Sequence, residues 1–350
     1  MTEQQTYMQR CLELAIMGLG KVAPNPMVGC VIVNNGKVIG EGYHKAFGEA
    51  HAEVNAINSV MNKALLASSQ LYVSLEPCAH FGKTPPCADL IIKHNIKRVI
   101  IGCIDPNPLT RGKGIEKLIK NGCDITIGAL EQECMELNKR FFTFIEKKRP
   151  YIIMKWAQSE DGFIDGKRTK DETPAKITGS EPDTLSHQWR SEEQAIMVGT
   201  NTVIMDNPLL TTRLIKGKSP IRVLIDRHLK VKDNANIFNN FASVIVFNEE
   251  KTETKGNVEF VKINFEYPVP ETVMKELYSR NIQSIIIEGG RKLLQSFIDY
   301  GMWDEARVFT SGKKLNDGVK APAFQYSVTN ERKIGTETLR EYRNHHFEQK

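Results

Sequence analysis

The chain has 350 residues, 41% of them hydrophobic and 25% charged, which suits two globular domains that each bury a core. Lys and Arg outnumber Asp and Glu by only 47 to 42, and this excess is spread along the chain, so charge does not distinguish an anionic small molecule from a nucleic acid. No stretch reaches about 18 uninterrupted apolar residues, and the first residues lack a secretory pattern. We therefore expect a cytoplasmic protein that does not bind a membrane.

All 7 cysteines lie in the first 134 residues of the chain. An odd number of cysteines without a secretory signal argues against a disulfide framework and favours reduced thiols. The uneven distribution indicates that the two halves of the chain do different work.

The first half alternates between strand and helix patterns. A hairpin is predicted first, because strands at 29–33 and 37–40 flank the turn sequence Asn34-Asn35-Gly36. The alternation predicts a largely parallel sheet covered by helices. Further strands are predicted at 71–75, 98–101 and near 125, and helices at 52–63, 86–94, 112–121 and 130–146.

A domain boundary is predicted near residues 145–150, where charged residues and Pro150 end the last helix and an apolar strand begins at Tyr151. We therefore expect domains at 1–146 and 147–350. The second half again alternates, which predicts a second α/β sheet. Its strands are predicted at 151–156, 194–199, 221–226, 243–247 and 284–288, and its helices at 181–193, 270–280 and 290–299.

The first half contains the ligand set of a zinc site in the order His51-Ala52-Glu53, Pro77-Cys78 and Cys87. One imidazole and two thiolates leave the fourth tetrahedral position to a water, which loses a proton near neutral pH. Glu53 is close enough along the chain to shuttle that proton to a departing amine. Because residues i and i+2 in mid-helix point apart, His51 should lie at a helix cap. Each residue alone is ordinary, but the ordered set predicts a catalytic zinc.

Two alternatives account for part of this pattern. A nucleic-acid or nucleoside deaminase with a C-terminal binding module would need a basic stripe with interleaved aromatic residues, and the 8% of aromatic residues show no such clustering. A non-catalytic zinc protein would close the coordination sphere with a fourth ligand, for which His44 or His80 would serve. A salt-insensitive assay on a mononucleotide would settle the first alternative, and metal analysis paired with turnover would settle the second.

No G-x-G-x-x-G follows a strand in this chain. The nearest match, at 18–23 in the first half, follows a helical stretch and is better explained as a helix end and loop. A better candidate for a phosphate-binding turn is Glu288-Gly289-Gly290, between a strand and a helix, and 199–202 is a second turn of this kind. The glycines of either turn are equally compatible with a simple tight turn.

The run EPCAHFGKTPPC at 76–87, with PNPMVG at 24–29, HAE at 51–53 and DPNP at 105–108, resembles the bifunctional riboflavin-biosynthesis deaminase–reductase family. The resemblance covers the whole chain. It implies a cytidine-deaminase-like α/β/α zinc domain followed by a dihydrofolate-reductase-like α/β domain. The first would remove the 2-amino group of a diaminopyrimidinone ribosyl phosphate, and the second would reduce the ribose to a ribityl chain with NADPH. We expect a homo-oligomer that uses Zn²⁺ and NADPH and binds no nucleic acid.

The resemblance also assigns individual residues. Lys155 matches a residue beside the ribose, and we take it as the group that polarises or protonates the sugar oxygen. Substrate-binding positions are implied at Asn25, His44, Lys83, Asp105 and Asn107 in the first domain and at Arg190, Asp206, Leu210, Arg213 and Glu288 in the second. Cofactor-binding positions are implied at Ala157, Thr202, Arg227, Gly289 and Gly290. The chain departs from the family at Lys83, in place of a common arginine, and at 170–179, where Pro174 and Lys176 replace a Ser-x-Trp pattern.

Overall fold

The computed structural model describes residues 1–81 and 85–344, and the chain divides into two compact units, Met1–Lys148 and Arg149–Lys350. Each unit contains its own mixed α/β sheet, which confirms the predicted fold class. Within the described residues, no helix is both long enough and apolar enough to cross a membrane.

The first unit is built on a five-stranded sheet. Its strands are β1 (Gly29–Asn34), β2 (Lys37–Tyr43), β3 (Gln70–Leu75), β4 (Arg98–Cys103) and β5 (Asp124–Ile127). Its helices are α1 (Glu3–Ala15), α2 (Ala52–Ser59), α3 (Cys87–Lys93), α4 (Lys113–Lys120), α5 (Glu131–Leu137) and α6 (Lys139–Lys147). The strand order is β2-β1-β3-β4-β5, with β1 antiparallel to β2 and β3, and with β3, β4 and β5 parallel.

Helices cover both faces of this sheet because its central strands are apolar on both sides. Side chains of α2, α3 and α4 form one core with the sheet, and those of α1, α5 and α6 form another on the opposite face. The predicted hairpin is confirmed, and Asn35 and Gly36 both have the positive φ that a tight two-residue hairpin turn requires. The result is a three-layer α/β/α unit.

The predicted helix at 130–146 is two helices, α5 and α6, which meet at Asn138. The amide of Asn138 is the reason: its Nδ2 donates to the Met27 carbonyl and its Oδ1 accepts from the Met27 N–H, both at 2.8 Å. A side chain that leaves the helix to pair with another segment competes with continued helix formation. The two hydrogen bonds hold Met27 against the junction of α5 and α6, and with it the loop that contains Asn25.

The second unit is built on a ten-stranded sheet and a separate two-stranded ribbon. Its strands are β6 (Tyr151–Gln158), β7 (Phe163–Asp165), β8 (Ala195–Gly199), β9 (Ile221–Ile225), β10 (Val244–Asn248), β11 (Glu253–Lys255), β12 (Val258–Lys262), β13 (Ser284–Ile287), β14 (Glu305–Thr310), β15 (Val319–Lys320), β16 (Val328–Ile334) and β17 (Glu337–Arg343). Its helices are α7 (Ser180–Glu192), α8 (Thr200–Asp206), α9 (Val269–Ser279) and α10 (Arg291–Asp299).

The centre of the large sheet is parallel, and antiparallel strands close its two edges. The order is β11-β12-β10-β9-β8-β13-β6-β14-β17-β16, in which β11, β16 and β17 are antiparallel to their neighbours. The five strands predicted in this half are β6, β8, β9, β10 and β13. The sequence did not predict the remaining strands, and β16 shows why: its side chains are almost all exposed, so it has no apolar alternation.

We predict that residues 149–350 fold alone, without metal, and bind NADPH. Both large cores of the second unit consist only of residues after position 150, so burial of their apolar surface does not depend on the first unit. Thermal unfolding followed by circular dichroism and a fluorescence titration with NADPH test this. A soluble, cooperatively folded fragment that fails to bind NADPH would contradict it.

Candidate functional site

His51 is the N-cap of α2, as its i, i+2 spacing from Glu53 requires. The close packing of α2 on β2 sets the position of this cap. Gly42 permits that packing, because a Cβ at position 42 would lie 2.3 Å from the backbone nitrogen of Ala56. The His51 imidazole is thereby directed towards the segment that follows β3.

Cys78 and Cys87 complete a three-atom cluster with His51. The His51 Nδ1 atom lies 3.6 Å from Cys78 Sγ and 3.4 Å from Cys87 Sγ. Tetrahedral zinc with Zn–S of about 2.3 Å and Zn–N of about 2.0–2.1 Å places a nitrogen and a sulfur ligand about 3.6 Å apart. Within the described residues, these three side chains are the metal-binding group at this site. Their spacing therefore fits one zinc ion with an open fourth position.

The two thiols share one proton in the metal-free protein. Hydrogen bonding from the Cys87 thiol, with further help from His51, lowers the pKa of Cys78 to about 4. The same hydrogen bond, together with burial, raises the pKa of Cys87. A hydrogen bond to Cys78 also raises the pKa of His51. A dication would replace these protons, because thiolate and neutral imidazole are the forms that bind zinc.

Glu53 lies in the first turn of α2, and its side chain is buried, with 3% exposed. Burial, reinforced by the charge of Cys78, raises the pKa of Glu53 to about 7. A carboxyl group with a pKa near neutrality both accepts and releases a proton readily at physiological pH. The position and acidity of Glu53 suit proton transfer beside the metal site.

His44 does not complete the metal site. Its Nδ1 lies 3.1 Å from the Ala50 carbonyl oxygen and must donate to it, so its Nε2 accepts from Asn25 Nδ2, also at 3.1 Å. Burial lowers the pKa of His44, which keeps the ring neutral and preserves this arrangement. His44 therefore fixes the orientation of the Asn25 amide. Both ring nitrogens have protein partners, which argues against a closed fourth ligand from His44.

The cluster opens into a cavity of about 350 Å³. Among the predicted residues that line it are Asn25, His44, His51, Glu53, Cys78, Asp105 and Asn107. Lys83 lies outside the described residues. The cavity also includes Glu76, Thr110 and the aromatic rings of Phe47 and Phe141, which the sequence did not single out. Aromatic rings suit a planar heterocycle, but their spacing along the chain gave no signal.

In the second unit, Glu288 lies between two cations. The Arg190 guanidinium binds it through Nε–Oε1 at 2.9 Å and Nη2–Oε2 at 2.6 Å, and Lys155 Nζ lies 4.0 Å from Oε2. Burial opposes ionisation of Glu288, but the charges of Arg190 and Lys155 prevail and lower its pKa to about 2. Burial lowers the pKa of Lys155, which makes it a better proton donor. Parallel pairing of β13 with β6 brings Glu288 and Lys155 together.

His187 belongs to the same network, and the sequence did not indicate it. It lies one turn before Arg190 on α7, and its Nδ1 accepts the backbone N–H of Arg213 at 2.9 Å. Burial, with the nearby charge of Arg190, lowers the pKa of His187 to about 4, so the ring stays a neutral acceptor. The Arg213 side chain itself is exposed. His187 thus fixes the backbone of Arg213 and leaves its guanidinium accessible.

Two other predicted substrate positions lie beside this network. The Asp206 carboxylate pairs with Arg168, whose Nε also binds Asp165 at 2.7 Å and whose Nη1 donates to the Met205 carbonyl at 3.2 Å. Leu210 is a buried core residue whose backbone has a positive φ of 53°. Arg168 is a further residue that the sequence did not indicate, and it anchors the divergent segment to α8.

The predicted cofactor positions lie at the carboxyl ends of the parallel strands. Gly289 and Gly290 follow β13, and a Cβ on either would lie 3.1 Å from Thr202 Oγ1 in α8. Ala157 lies near the end of β6, and Arg227 follows β9, where its Nε donates to Glu249 at 2.6 Å. The carboxyl edge of a parallel sheet is the usual ligand-binding edge.

Comparison with known proteins finds two families that match separate parts of the chain. Residues 1–103 match the cytidine and deoxycytidylate deaminase zinc-binding region, and residues 150–322 match the RibD C-terminal domain. The chain is 41% identical to the riboflavin biosynthesis protein RibD of Aquifex aeolicus over 90% of this chain and 88% of that one, and 40% identical to RibD of Bacillus amyloliquefaciens over 92% and 87%.

A solved structure resembles the whole chain. The Thermotoga maritima protein described as a diaminohydroxyphosphoribosylaminopyrimidine deaminase/5-amino-6-(5-phosphoribosylamino)uracil reductase has a TM-score of 0.89 and 38% identity, and the match covers 98% of this chain and 99% of that one.

We predict that Cys87→Ser abolishes stoichiometric zinc binding, whereas Cys123→Ser retains one zinc per chain. Cys123 is also a buried thiol of the first unit, but it lies outside the cluster. Serine is a much weaker zinc ligand than thiolate, so the loss should follow ligand chemistry rather than cavity formation. Elemental analysis after gel filtration measures it. Equal zinc content in the two variants would exclude Cys87 as a ligand.

Proposed function

The chain belongs to the RibD family of riboflavin-biosynthesis enzymes, which have deaminase and reductase activities, and we propose that its first unit is the deaminase and its second the reductase. The substrates we propose are those in the name of the Thermotoga maritima protein, a diaminopyrimidine ribosyl phosphate and then the aminouracil ribosyl phosphate formed from it. The spacing of His51, Cys78 and Cys87 beside buried Glu53 is the observation that carries the proposal.

Deamination exchanges an exocyclic amine for an oxygen from water and releases ammonia. His51, Cys78 and Cys87 would hold the zinc ion, which when bound lowers the pKa of a water so that it becomes a nucleophile near neutral pH. Glu53 would take the proton from that water and deliver it to the leaving amine, for which its pKa of about 7 is suited. Because the Nδ2 of Asn25 donates to His44, its Oδ1 is left to accept a hydrogen bond from the substrate.

The proposed reductase site is the Lys155–Glu288–Arg190 network. Thr202, Gly289 and Gly290 would hold NADPH, which when bound would supply the hydride that reduces C1′ of the ribose. Lys155 would donate a proton to the sugar oxygen, which its burial promotes. Glu288 would hold Lys155 in place and bind sugar hydroxyls. Arg190 would serve chiefly to orient Glu288, because its Nε and Nη2 both bind that carboxylate. The exposed Arg213 is then the cation available for the phosphate.

We further propose a cytoplasmic homo-oligomer that binds neither nucleic acid nor membrane. All seven cysteines are free thiols, as is usual in a reducing compartment. Strand β16 lies at the end of the large sheet with exposed side chains, and such an edge is available for pairing with a second copy. Sedimentation of the purified protein would report its oligomeric state.

We predict that Glu53→Gln keeps one zinc per chain but lowers deamination at least about 100-fold, the range expected for loss of a general acid–base group. The amide has nearly the same size as the carboxyl group but cannot carry the proton. Ammonia release and metal content are measured together, and NADPH-dependent reduction by the same preparation serves as the internal control. Near-normal ammonia release would refute the role of Glu53.

We predict that Arg213→Ala lowers kcat/KM for reduction by about 30- to 1000-fold, because a dianionic phosphate loses a charge-assisted partner. Deamination should not change, and NADPH affinity should change little. Arg213→Lys should recover only part of the loss, since an ammonium group cannot form the bidentate contact. A dephosphorylated substrate should be reduced poorly by the parent enzyme and no worse by Arg213→Ala. An equal loss on both substrates would show that Arg213 does not contact the phosphate.

A further inference from the structure

Glu76 is a buried carboxylate at the end of β3, with 7% of the residue exposed. Four backbone N–H groups converge on it. Its Oε2 accepts from Gly112 at 2.9 Å and from Asp105 at 3.3 Å, and its Oε1 accepts from Gly114 at 2.9 Å and from Ile115 at 3.4 Å. Two of these donors belong to the first turn of α4, where the helix dipole also favours a negative charge. Glu76 is thus held as an acceptor on both oxygens.

These contacts close the loop 105–112. Asp105 is the first residue of the loop and Gly112 the last, and both donate to the same oxygen of Glu76. Inside the loop, Asp105 Oδ1 accepts from the Asn107 N–H at 2.9 Å, and Asp105 Oδ2 accepts from the Thr110 hydroxyl at 2.8 Å. Both carboxylate oxygens of Asp105 therefore organise the loop itself.

Asn107 lines the cavity together with Asp105 and Thr110, and its amide is the group that the loop leaves available to a ligand. Its Oδ1 accepts from the Leu109 N–H at 3.0 Å, so its Nδ2 is left as the group that can donate to a ligand. The cavity is lined by both Asn107 and Glu76. The position of the Asn107 amide consequently depends on the loop, and the loop depends on Glu76.

The segment on the other side of Glu76 leads to the metal site. Gly114 packs so closely on this segment that a Cβ there would lie 1.9 Å from the Pro77 carbonyl oxygen. Pro77 is followed directly by Cys78, a member of the metal-binding group. The turn 76–78 therefore lies between the start of α4 and the candidate zinc site, with its backbone in fixed contact with both.

We propose that Glu76 is a positioning residue for deamination, which sets the 105–112 loop, and with it the Asn107 amide, at a fixed place relative to Cys78. The proposal rests on the assignment of Asn107 to substrate binding. Glu76 also lines the cavity, but both of its oxygens already accept from backbone N–H groups, so it acts through the loop. Substitution of Glu76 should therefore weaken substrate binding, and this loss should depend on the presence of the Asn107 amide.

The test uses Glu76→Gln in the full-length, zinc-loaded protein. Glutamine has the same length, but its Nε2 donates, so one pair of backbone N–H groups would face another donor. We expect the KM for deamination to rise by about 10- to 100-fold, with a smaller change in kcat, the loss expected from charge-assisted hydrogen bonds. Zinc content and NADPH-dependent reduction should stay at parent values. Glu116→Gln, at an exposed position in the first turn of α4, is the matched control and should behave as the parent.

A double-mutant cycle with Asn107→Ala separates positioning from a general effect on the unit. In the parent background, Asn107→Ala should lower kcat/KM for deamination by at least about 10-fold, and in the Glu76→Gln background by less than about 3-fold. If Glu76→Gln does not fold, Glu76→Asp, which keeps two acceptors on a shorter side chain, replaces it in the same cycle with the same expectation.

Four results would overturn the proposal. Losses that multiply would show that Glu76 acts independently of Asn107. Loss of zinc in Glu76→Gln would show that it supports the metal site instead of the loop. An unchanged KM would show that the loop keeps its place without it. In the fourth, Asn107→Ala has little effect in the parent background, which would refute both the assignment of Asn107 and the proposal. If Asn107→Ala lowers kcat/KM as expected but the two losses multiply, only the role of Glu76 is refuted.

Discussion

The first unit is organised by the need to bring one nitrogen and two sulfurs from three separate segments within a single coordination sphere. A helix cap supplies His51, the turn after a central strand supplies Cys78, and the first residue of the next helix supplies Cys87. Two of these segments can occupy their places only because the backbone packs unusually close. Gly42 lets α2 approach β2, and Gly114 lets α4 approach the turn before Cys78. The alternating order of strands and helices places the three segments next to one another, and the glycines allow the close packing between them.

The second unit is organised around charged side chains that are buried together. Lys155, Glu288 and Arg190 are all largely removed from water, and an isolated charge in such a place is costly. Their mutual attraction offsets that cost, and the neutral ring of His187 beside them adds no further positive charge. The network therefore holds Lys155, whose pKa is lowered by burial, near the carboxyl edge of the sheet. Both units place polar groups at that edge, a metal-binding group in the first and an ion-pair network in the second.

The sequence predicted the architecture well where apolar residues follow a regular period. The strands at the centre of both sheets, most of the helices that cover them and the hairpin at Asn34-Asn35-Gly36 were predicted, whereas α1 and α8 were not. The failures have specific causes. The helix at 130–146 breaks because the Asn138 side chain pairs with Met27, a contact across more than a hundred residues. The edge strand β16 lacks an apolar face because it is exposed.

The candidate site was predicted unevenly for the same reason. Motif residues such as His51, Cys78 and Cys87 are close to one another in the structure, because their chemistry requires it and the motif records it. Residues that act through others have no such signature. His187, Arg168 and Glu76 owe their roles to backbone groups or partners far away in the sequence, so only the folded chain reveals them. Sequence patterns thus identify groups that touch ligands more readily than groups that hold those residues in place.

The distribution of thiols gives the two activities unequal sensitivity to oxidants. Cys78 is only partly buried, and with a pKa near 4 it is a thiolate at neutral pH whenever the metal is absent, the form that peroxides attack. The other cysteines are buried, and the second unit has none. Oxidation of thiols should therefore begin at Cys78 and remain confined to the first half of the polypeptide. The reductase half has no thiol to lose, but it would lack the substrate that the first half supplies.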